Sequence, residues 1–228
     1  RFVLPLCLVP PIESPFLQLL GLCHKAHPLS WIFAMPGLLP NVDPDGLLEY
    51  SVVFTDRSLN HMSQTFQGVM RDISSTLKSV YSADAVVVVP GGGTYAMEAV
   101  ARQFANDAKC LVIRNGFFSF RWTQILEAGR ITPEHTVVKA QLESDQPQAA
   151  FAPPAIADVV ARIKAEKPQV VFAPHVETAS GIILPDDYIR AVGEAVRSVG
   201  GLFVLDCIAS GTLWVDMKSN IVDVLISA

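Results

Sequence analysis

From residue 60 onward the chain alternates between helix-like and strand-like segments, and this alternation limits the folds open to it. The strand-like segments are short, rich in β-branched residues and apolar on both faces. Such strands are typical of a parallel sheet that is covered by helices on each side. The sequence therefore predicts an α/β fold with three layers, in which helices flank a mostly parallel sheet.

The boundaries of these segments follow from apolar spacing of three and four residues in helices and from short β-branched runs in strands. The predicted helices are 61–80, 94–104, 119–128, 156–165 and 186–199. The predicted strands are 85–89, 110–113, 136–139, 170–173, 202–205 and 222–226, with a loop over 143–154. Parallel strands joined by right-handed crossovers end at one edge of the sheet, where ligands bind in open α/β folds.

Composition argues against several classes of function. Half of the residues are hydrophobic and 17% are charged, which is too apolar for a disordered chain. The net charge of -5 and the lack of a basic run argue against a nucleic-acid surface. Cys7, Cys23, Cys110 and Cys207 form neither a CxxC pair nor a metal-ligand spacing. We therefore expect reduced thiols, no metal site and a cytoplasmic protein.

Residues 1–35 differ from the rest of the chain, because prolines interrupt every apolar stretch there. No apolar run reaches the roughly 18 residues that span a bilayer, so we expect no membrane association. Pro5, Pro10 and Pro11 also break the apolar core that a signal peptide needs. We expect 1–35 to be an atypical N-terminal segment and 36–228 to be the ligand-binding domain.

The first candidate site is the run Gly91-Gly92-Gly93-Thr94, between a predicted strand and a predicted helix. Glycine lets the backbone approach a ligand, and a helix start offers free N–H groups and the positive end of its dipole. The run predicts either a phosphate-binding loop or a plain tight turn. It has neither the GK[ST] of a Walker A loop nor the GxGxxG spacing of a dinucleotide site.

Three further candidates follow predicted strands. Asp206 ends an apolar run, where a buried carboxylate needs a cationic partner unless it only caps a turn. The aromatic pair in 115–118 lies where a ring can stack on a flat ligand, or it packs in the core. The polar loop 175–181 begins with HxE but has no PCxxC partner, which argues against a zinc deaminase site.

These motifs occur after successive strands as GGGTYAMEA, RNGFFSFRW, HVETASGIILP and LFVLDCIASGT. In this order they resemble the class V, fold-type I, pyridoxal-phosphate-dependent aminotransferases, a group that includes alanine–glyoxylate, serine–pyruvate and 2-aminoethylphosphonate transaminases. The resemblance runs from about Pro36 to Ala228. It implies that 36–228 is an incomplete pyridoxal-phosphate-binding large domain, without the small C-terminal domain of the family.

The resemblance also implies seven cofactor-binding residues: Gly92, Gly93, Thr94, Phe118, Thr178, Asp206 and Ile208. The first three would hold the cofactor phosphate through backbone N–H groups and a hydroxyl. The remaining four would surround the ring. Phe118 would stack on the pyridine ring, and Ile208 would pack on its other face. Thr178 would donate to the phenolic oxygen, and Asp206 would pair with the protonated ring nitrogen.

The same resemblance places the lysine that binds the cofactor covalently beyond Ala228, so no catalytic residue is expected in this chain. Lys167 and Lys218 do not match its position. The expected reaction is transfer of an amino group from a small amino acid to an oxo-acid such as pyruvate or glyoxylate, in a homodimer. We expect the chain alone to be inactive and to self-associate, with the helix 61–80 at the subunit contact.

Three alternatives stay open at this point. The first is another enzyme of the same superfamily, a cysteine desulfurase or a lyase. The second is a non-catalytic truncated fragment. The third is a phosphate binder of Rossmann type, which would want an acidic residue about 20 positions after the glycine loop. The residues in that window, 110–113, include none.

Overall fold

The computed structural model describes residues 64–228. The chain divides into two compact units, Arg1–Ser74 and Ser75–Ala228. Within the first unit the described residues form the start of one helix, which continues into the second unit. The predicted segment 1–35 and the first residues of the predicted helix 61–80 lie outside the described residues.

The described elements alternate along the chain as the sequence predicts. The helices are α1 (Gln64–Tyr81), α2 (Gly93–Phe104), α3 (Phe117–Ala128), α4 (Ile156–Glu166) and α5 (Asp186–Ser198). The strands are β1 (Cys110–Arg114), β2 (His135–Lys139), β3 (Gln141–Leu142), β4 (Phe151–Ala152), β5 (Val170–Pro174), β6 (Val176–Glu177), β7 (Ile182–Ile183), β8 (Leu202–Asp206) and β9 (Val224–Ile226). The predicted helices therefore agree with α1 to α5 to within a few residues at each end.

The second unit is built on a five-stranded sheet in the order β2-β1-β5-β8-β9. All four strand pairs are parallel, as the sequence predicts. The three central strands β1, β5 and β8 are almost completely buried. Because every strand runs in the same direction, the carboxyl ends of β1, β5 and β8 lie side by side at one edge.

Two apolar layers cover the sheet, one on each face. Alternate residues of β1 point to opposite faces, so that Leu111 and Cys110 belong to different clusters. One cluster joins the sheet to α4 and α5, and the other joins it to α2 and α3. In the second cluster the Trp122 ring stacks on the Phe172 ring, with centroids 4.3 Å apart. These two clusters confirm the predicted three-layer α/β fold.

The predicted strand over 85–89 is wrong. These residues are not assigned to a strand and pair with no strand in the part of the chain that the structure describes. Their side chains are exposed: Val87 at 78%, Val88 at 50% and Val89 at 37%. A strand requires a neighbour for its backbone hydrogen bonds, and valine content alone says nothing about whether a neighbour is present.

The structure contains two short hairpins where the sequence predicts loops. Within the predicted loop 143–154, Phe151–Ala152 pairs antiparallel with Gln141–Leu142. After β5, the strands β6 and β7 form a second hairpin that the sequence analysis does not predict. Two-residue strands are too short to show an alternating pattern, which is why neither hairpin is visible in the sequence.

Two of the four cysteines lie in the described part of the chain, and both agree with prediction. Cys110 and Cys207 are free and buried, and burial raises the pKa of each thiol to about 12. Neither thiol is therefore suited to nucleophilic chemistry at neutral pH. Among the described helices, none is both long enough and apolar enough to cross a membrane.

The exposed valines lead to a first prediction. An extended apolar segment without a strand partner tends to pair with another chain. We expect the 228-residue chain to self-associate, and the double variant Val87→Lys/Val88→Lys to shift it towards monomer, as measured by analytical ultracentrifugation. Leu142→Lys is the control, because Leu142 is 54% exposed but belongs to a paired strand. Equal association of the valine variant and the wild type would place the contact elsewhere, for example on α1.

Candidate functional site

The start of α2 and the loops after β1, β5 and β8 meet at the carboxyl edge of the sheet. A Cβ atom added to Gly93 would lie 2.5 Å from Cδ1 of Ile208, so the glycine loop and the loop after β8 are in close contact. The amide of His175, which follows β5, donates to the carbonyl oxygen of Asp206 at 2.8 Å. The structure thus brings together motifs that are up to about 110 residues apart in sequence.

The glycine loop ends where α2 begins, at Gly93. Gly92 is the N-cap residue and offers no side-chain cap, and Gly91 has a φ of +141° that favours glycine. The amides of Gly93 and Thr94 have no acceptor among the hydrogen bonds of the described residues. Space around Gly92 is open, because a Cβ atom there would meet nothing within 4 Å. Free amides at an open helix start favour an anion.

Thr94 is held by Arg121, a residue that the sequence analysis does not identify. Nη1 of Arg121 donates to Oγ1 of Thr94 at 2.7 Å. Because this oxygen accepts from Arg121, the hydroxyl proton of Thr94 is free to be donated to a ligand. Arg121 also adds a positive charge beside the start of α2. Its position on α3, one turn after Phe118, is the signal that could have identified it.

Asp206 ends β8 and is 8% exposed. One carboxylate oxygen accepts from the amide of Ile208 at 3.0 Å. Within residues 64–228, no Lys or Arg forms an ion pair with this carboxylate. Burial raises the pKa of Asp206 to about 6, with a further rise from Glu177, whereas the Ile208 amide and Arg121 act in the opposite direction. The carboxylate therefore lacks the cationic partner that would offset its burial.

The aromatic pair lies at the start of α3. Phe117 is 59% exposed and Phe118 is 46% exposed, so neither ring is part of the core. The two rings meet edge to face, with centroids 5.7 Å apart. Core packing, the alternative for this motif, is therefore wrong. The rings are available to a ligand at the edge of the sheet.

Glu177 is a second residue that the sequence analysis does not identify. It is fully buried, although glutamate is rarely buried without a partner. Its carboxylate accepts from the amides of Phe118 at 3.1 Å and Ser119 at 2.8 Å, and from the Ser119 hydroxyl at 2.7 Å. Glu177 thereby caps the start of α3 from another strand. The HxE motif includes this glutamate, but the helix start that it caps lies 58 residues away in sequence.

The loop after β5 contains the remaining candidates. Thr178 lies exposed in the turn between β6 and β7 and makes no hydrogen bond to another candidate residue in the described structure. The hydroxyl of Ser180 is buried and has no hydrogen-bond partner among the described residues. His175 is buried, its Nδ1 lies 2.8 Å from Oγ of Ser210, and burial lowers its pKa. The structure therefore brings six of the seven predicted residues to one edge, and Thr178, in the turn that follows Glu177, makes no described hydrogen bond to any of them.

The site is an open edge and not an enclosed cavity. A groove of about 390 Å³ runs between α2 and α3 and is lined partly by Thr94 and Arg121. Neither Asp206 nor Phe118 lines it. A ligand that touched both the α2 start and Asp206 would therefore lie at the rim of the sheet.

The chain is similar in sequence to several curated proteins. No family model matches the chain. It is 31% identical over 177 residues to the 2-aminoethylphosphonate–pyruvate transaminase of Paraburkholderia phymatum, covering 76% of this chain and 43% of that protein. The corresponding protein of Syntrophobacter fumaroxidans is 29% identical over 181 residues, covering 72% of this chain and 42% of that protein. The chain thus spans about two fifths of the length of these curated relatives.

The fold of the chain is also similar to that of solved structures. The ureidoglycine–glyoxylate aminotransferase of Bacillus subtilis matches with a TM-score of 0.64 and 22% identity, covering 74% of this chain and 41% of that chain. At this identity the match shows the fold alone. The chain is therefore a partial-length homologue of the class V, fold-type I aminotransferases and has the fold of their large domain.

Proposed function

We propose that this chain holds pyridoxal 5'-phosphate at the carboxyl edge of its sheet. We further propose that the protein to which it belongs transfers an amino group from a small amino acid to an oxo-acid such as pyruvate or glyoxylate. One observation supports this most directly. The buried carboxylate of Asp206 has no cationic partner in the described chain, and it lies near a helix start that has free amides.

The residues present fit this cofactor at both of its charged ends. The amides of Gly93 and Thr94 and the free hydroxyl proton of Thr94 suit a phosphate group, and Arg121 adds positive charge. Asp206 suits a protonated pyridine nitrogen, which would supply the missing cation. A flat ring between these ends would have the apolar side chain of Ile208 near one face.

Each of these residues has a defined task in the proposed reaction. Pyridoxal phosphate, when bound, supplies an electron sink for the charge that develops as an amino acid loses its α-proton. Asp206 keeps the proton on the ring nitrogen, because a buried carboxylate stabilises a neighbouring cation strongly. Phe118 excludes water from the ring. Thr178 is proposed to donate to the phenolic oxygen, which requires its exposed turn to close on the ligand.

The acceptor and the assembly follow from the same proposal. The relatives named as pyruvate transaminases support an oxo-acid acceptor. A homodimer is proposed because Phe117 and Phe118 are exposed at the site and a partner subunit would cover them. A cytoplasmic location is proposed because Cys110 and Cys207 are free thiols. The lysine that binds the cofactor covalently is proposed to come from outside this chain.

Asp206→Asn tests the proposal through stability as well as binding. The pKa of Asp206 is about 6 in the fold, above its value of about 3.9 in an unfolded chain. The stabilising effect of the bound proton is therefore complete below pH about 4 and is lost as the pH rises through about 6. Without cofactor, Asp206→Asn should raise the free energy of unfolding at pH 7 by up to about 3 kcal/mol, since one pKa unit is about 1.4 kcal/mol.

Urea denaturation at pH 4 and pH 7 measures this effect, and calorimetry measures the affinity for pyridoxamine 5'-phosphate. The variant should be more stable but bind the cofactor more weakly. Asp216→Asn is the control, because hydrogen bonds from Ser82 and Ser219 lower the pKa of Asp216 and its loss should destabilise the chain at pH 7. Unchanged affinity in Asp206→Asn would contradict the proposed pairing.

In the whole protein, the same substitution tests the reaction itself. A carboxylate–pyridinium pair in a desolvated site contributes on the order of several kcal/mol to the proton-removal step. We expect Asp206→Asn to lower the turnover of amino transfer to pyruvate or glyoxylate by several orders of magnitude. Near-normal turnover would mean that another group holds the proton on the ring nitrogen.

The glycine loop provides a matched pair of variants. In Gly93→Ala the new methyl group would overlap the Ile208 side chain at 2.5 Å, which should cost about 1–3 kcal/mol and displace Ile208. In Gly92→Ala the methyl group meets nothing within 4 Å, so only the weaker preference for alanine at an N-cap remains and the free energy of unfolding should fall by about 1 kcal/mol or less. Thermal denaturation of both variants measures the difference. Equal stability would show that the contact between the two loops is absent in solution.

A further inference from the structure

We propose that Glu177 is a positioning residue of the cofactor site, whose carboxylate fixes the Phe118 loop to the Thr178 turn and sets the electrostatic field at Asp206. The inference rests on the proposed function, since it concerns how that site is held together. Glu177 contacts no reacting atom in this scheme. Its effect is transmitted through the residues that it holds.

The hydrogen bonds of Glu177 join two loops that follow different strands. Oε2 accepts from the amide and the hydroxyl of Ser119, and Oε1 accepts from the amide of Phe118. Oε1 also accepts, at 3.4 Å, from the amide of Ala179, and Ala179 lies in the turn after β6. One carboxylate therefore links the loop after β1 to the loop after β5.

The fit around Glu177 leaves little room for movement. A Cβ atom added to Gly116 would lie 2.7 Å from Cδ of Glu177, so the glycine is needed for the carboxylate to approach. Ser119 strengthens the same loop, because its hydroxyl oxygen accepts from the amides of Asn115 at 2.9 Å and Gly116 at 3.1 Å. The loop that presents Phe118 is therefore fixed at its start by Ser119 and at its helix cap by Glu177.

Only a carboxylate makes all of these contacts. Glu177 is fully buried, and no Lys or Arg in residues 64–228 forms an ion pair with it. The amides at the start of α3 and the positive end of the helix dipole replace the missing cation. A glutamine has one acceptor oxygen, so its NH₂ group would face either the Ser119 amide or the Phe118 amide, both of which are donors.

Glu177 also acts on Asp206 through its charge. Glu177 on β6 raises the pKa of Asp206, in addition to burial, and Arg121 on α3 lowers it. Cys207, the neighbour in sequence, is a buried thiol whose own raised pKa keeps it neutral. Loss of the Glu177 charge should therefore let Asp206 ionise at a lower pH. A residue with a purely structural role would not have this effect.

Amide hydrogen exchange tests the link between the loops without any ligand. In Glu177→Gln the amides of Phe118, Ser119 and Ala179 should exchange at least tenfold faster than in the wild type. Asp223→Asn is the matched control, because Asp223 also accepts from a backbone amide, that of Phe203 at 2.9 Å, but near the amino ends of β8 and β9. It should leave the three amides of the site unchanged. Unchanged exchange in Glu177→Gln would overturn the inference.

Pyridoxamine 5'-phosphate, titrated by calorimetry from pH 5 to pH 9, tests the effect on the site. Glu177→Gln should weaken binding at least tenfold and move the acid limb of the binding profile to lower pH. Glu177→Asp separates the two effects, because it keeps the charge but is one methylene shorter. It should weaken binding without moving the acid limb. Asp223→Asn should behave like the wild type.

The outcomes distinguish the two proposals. If the wild type binds pyridoxamine 5'-phosphate and Glu177→Gln binds it with the same affinity and pH profile, the positioning role is wrong and the proposed function stands. If the wild type does not bind it at any pH, the proposed function fails and the inference fails with it. If Glu177→Gln does not fold by circular dichroism, Ser119→Ala replaces it and should weaken binding several-fold with an unmoved acid limb. Wild-type affinity in Ser119→Ala would then overturn the inference.

Discussion

The backbone hydrogen bonds of β5 are the constraint on which the rest of the structure depends. They join β5 to β1 on one side and to β8 on the other, all in parallel. Parallel pairing forces the chain to return through a helix between strands, which covers both faces of the sheet. The same pairing puts Arg114, Pro174 and Asp206 at the ends of adjacent strands. The site is therefore a consequence of strand direction before any side chain is considered.

Two buried carboxylates lie at this edge: the burial of Glu177 is offset by hydrogen bonds, whereas the burial of Asp206 is unfavourable for folding without a ligand. Glu177 accepts hydrogen bonds from three amides and a hydroxyl, so its burial is offset by the helix start that it caps. Asp206 accepts from one amide and has no ion-pair partner within residues 64–228, and its pKa is raised to about 6. A group that weakens the fold in the absence of ligand is typical of a functional site. Within one site the first carboxylate organises the protein, and the second is available to a cationic group.

Several large apolar side chains are exposed at or near the proposed site. Phe117 is 59% exposed and Phe118 is 46% exposed, and the valines of 87–89 have no strand partner in the described chain. Apolar groups of this size are unfavourable in water, and their exposure favours association with further protein. The chain spans about two fifths of its curated relatives. Under the proposed function, further protein would cover these side chains.

The sequence by itself determined the helices, the parallel sheet strands from β1 onward and the order of the four motifs. These features depend on local period and composition, which are visible within windows of about ten residues. The tertiary structure alone decided that 85–89 does not pair, that Arg121 meets Thr94 and that Glu177 caps α3. Each of these depends on a contact between distant segments, such as the bond between Ser119 and Glu177 across 58 residues. No local sequence pattern predicts such a contact, because the free energy that favours it arises only when the sheet brings the two segments together.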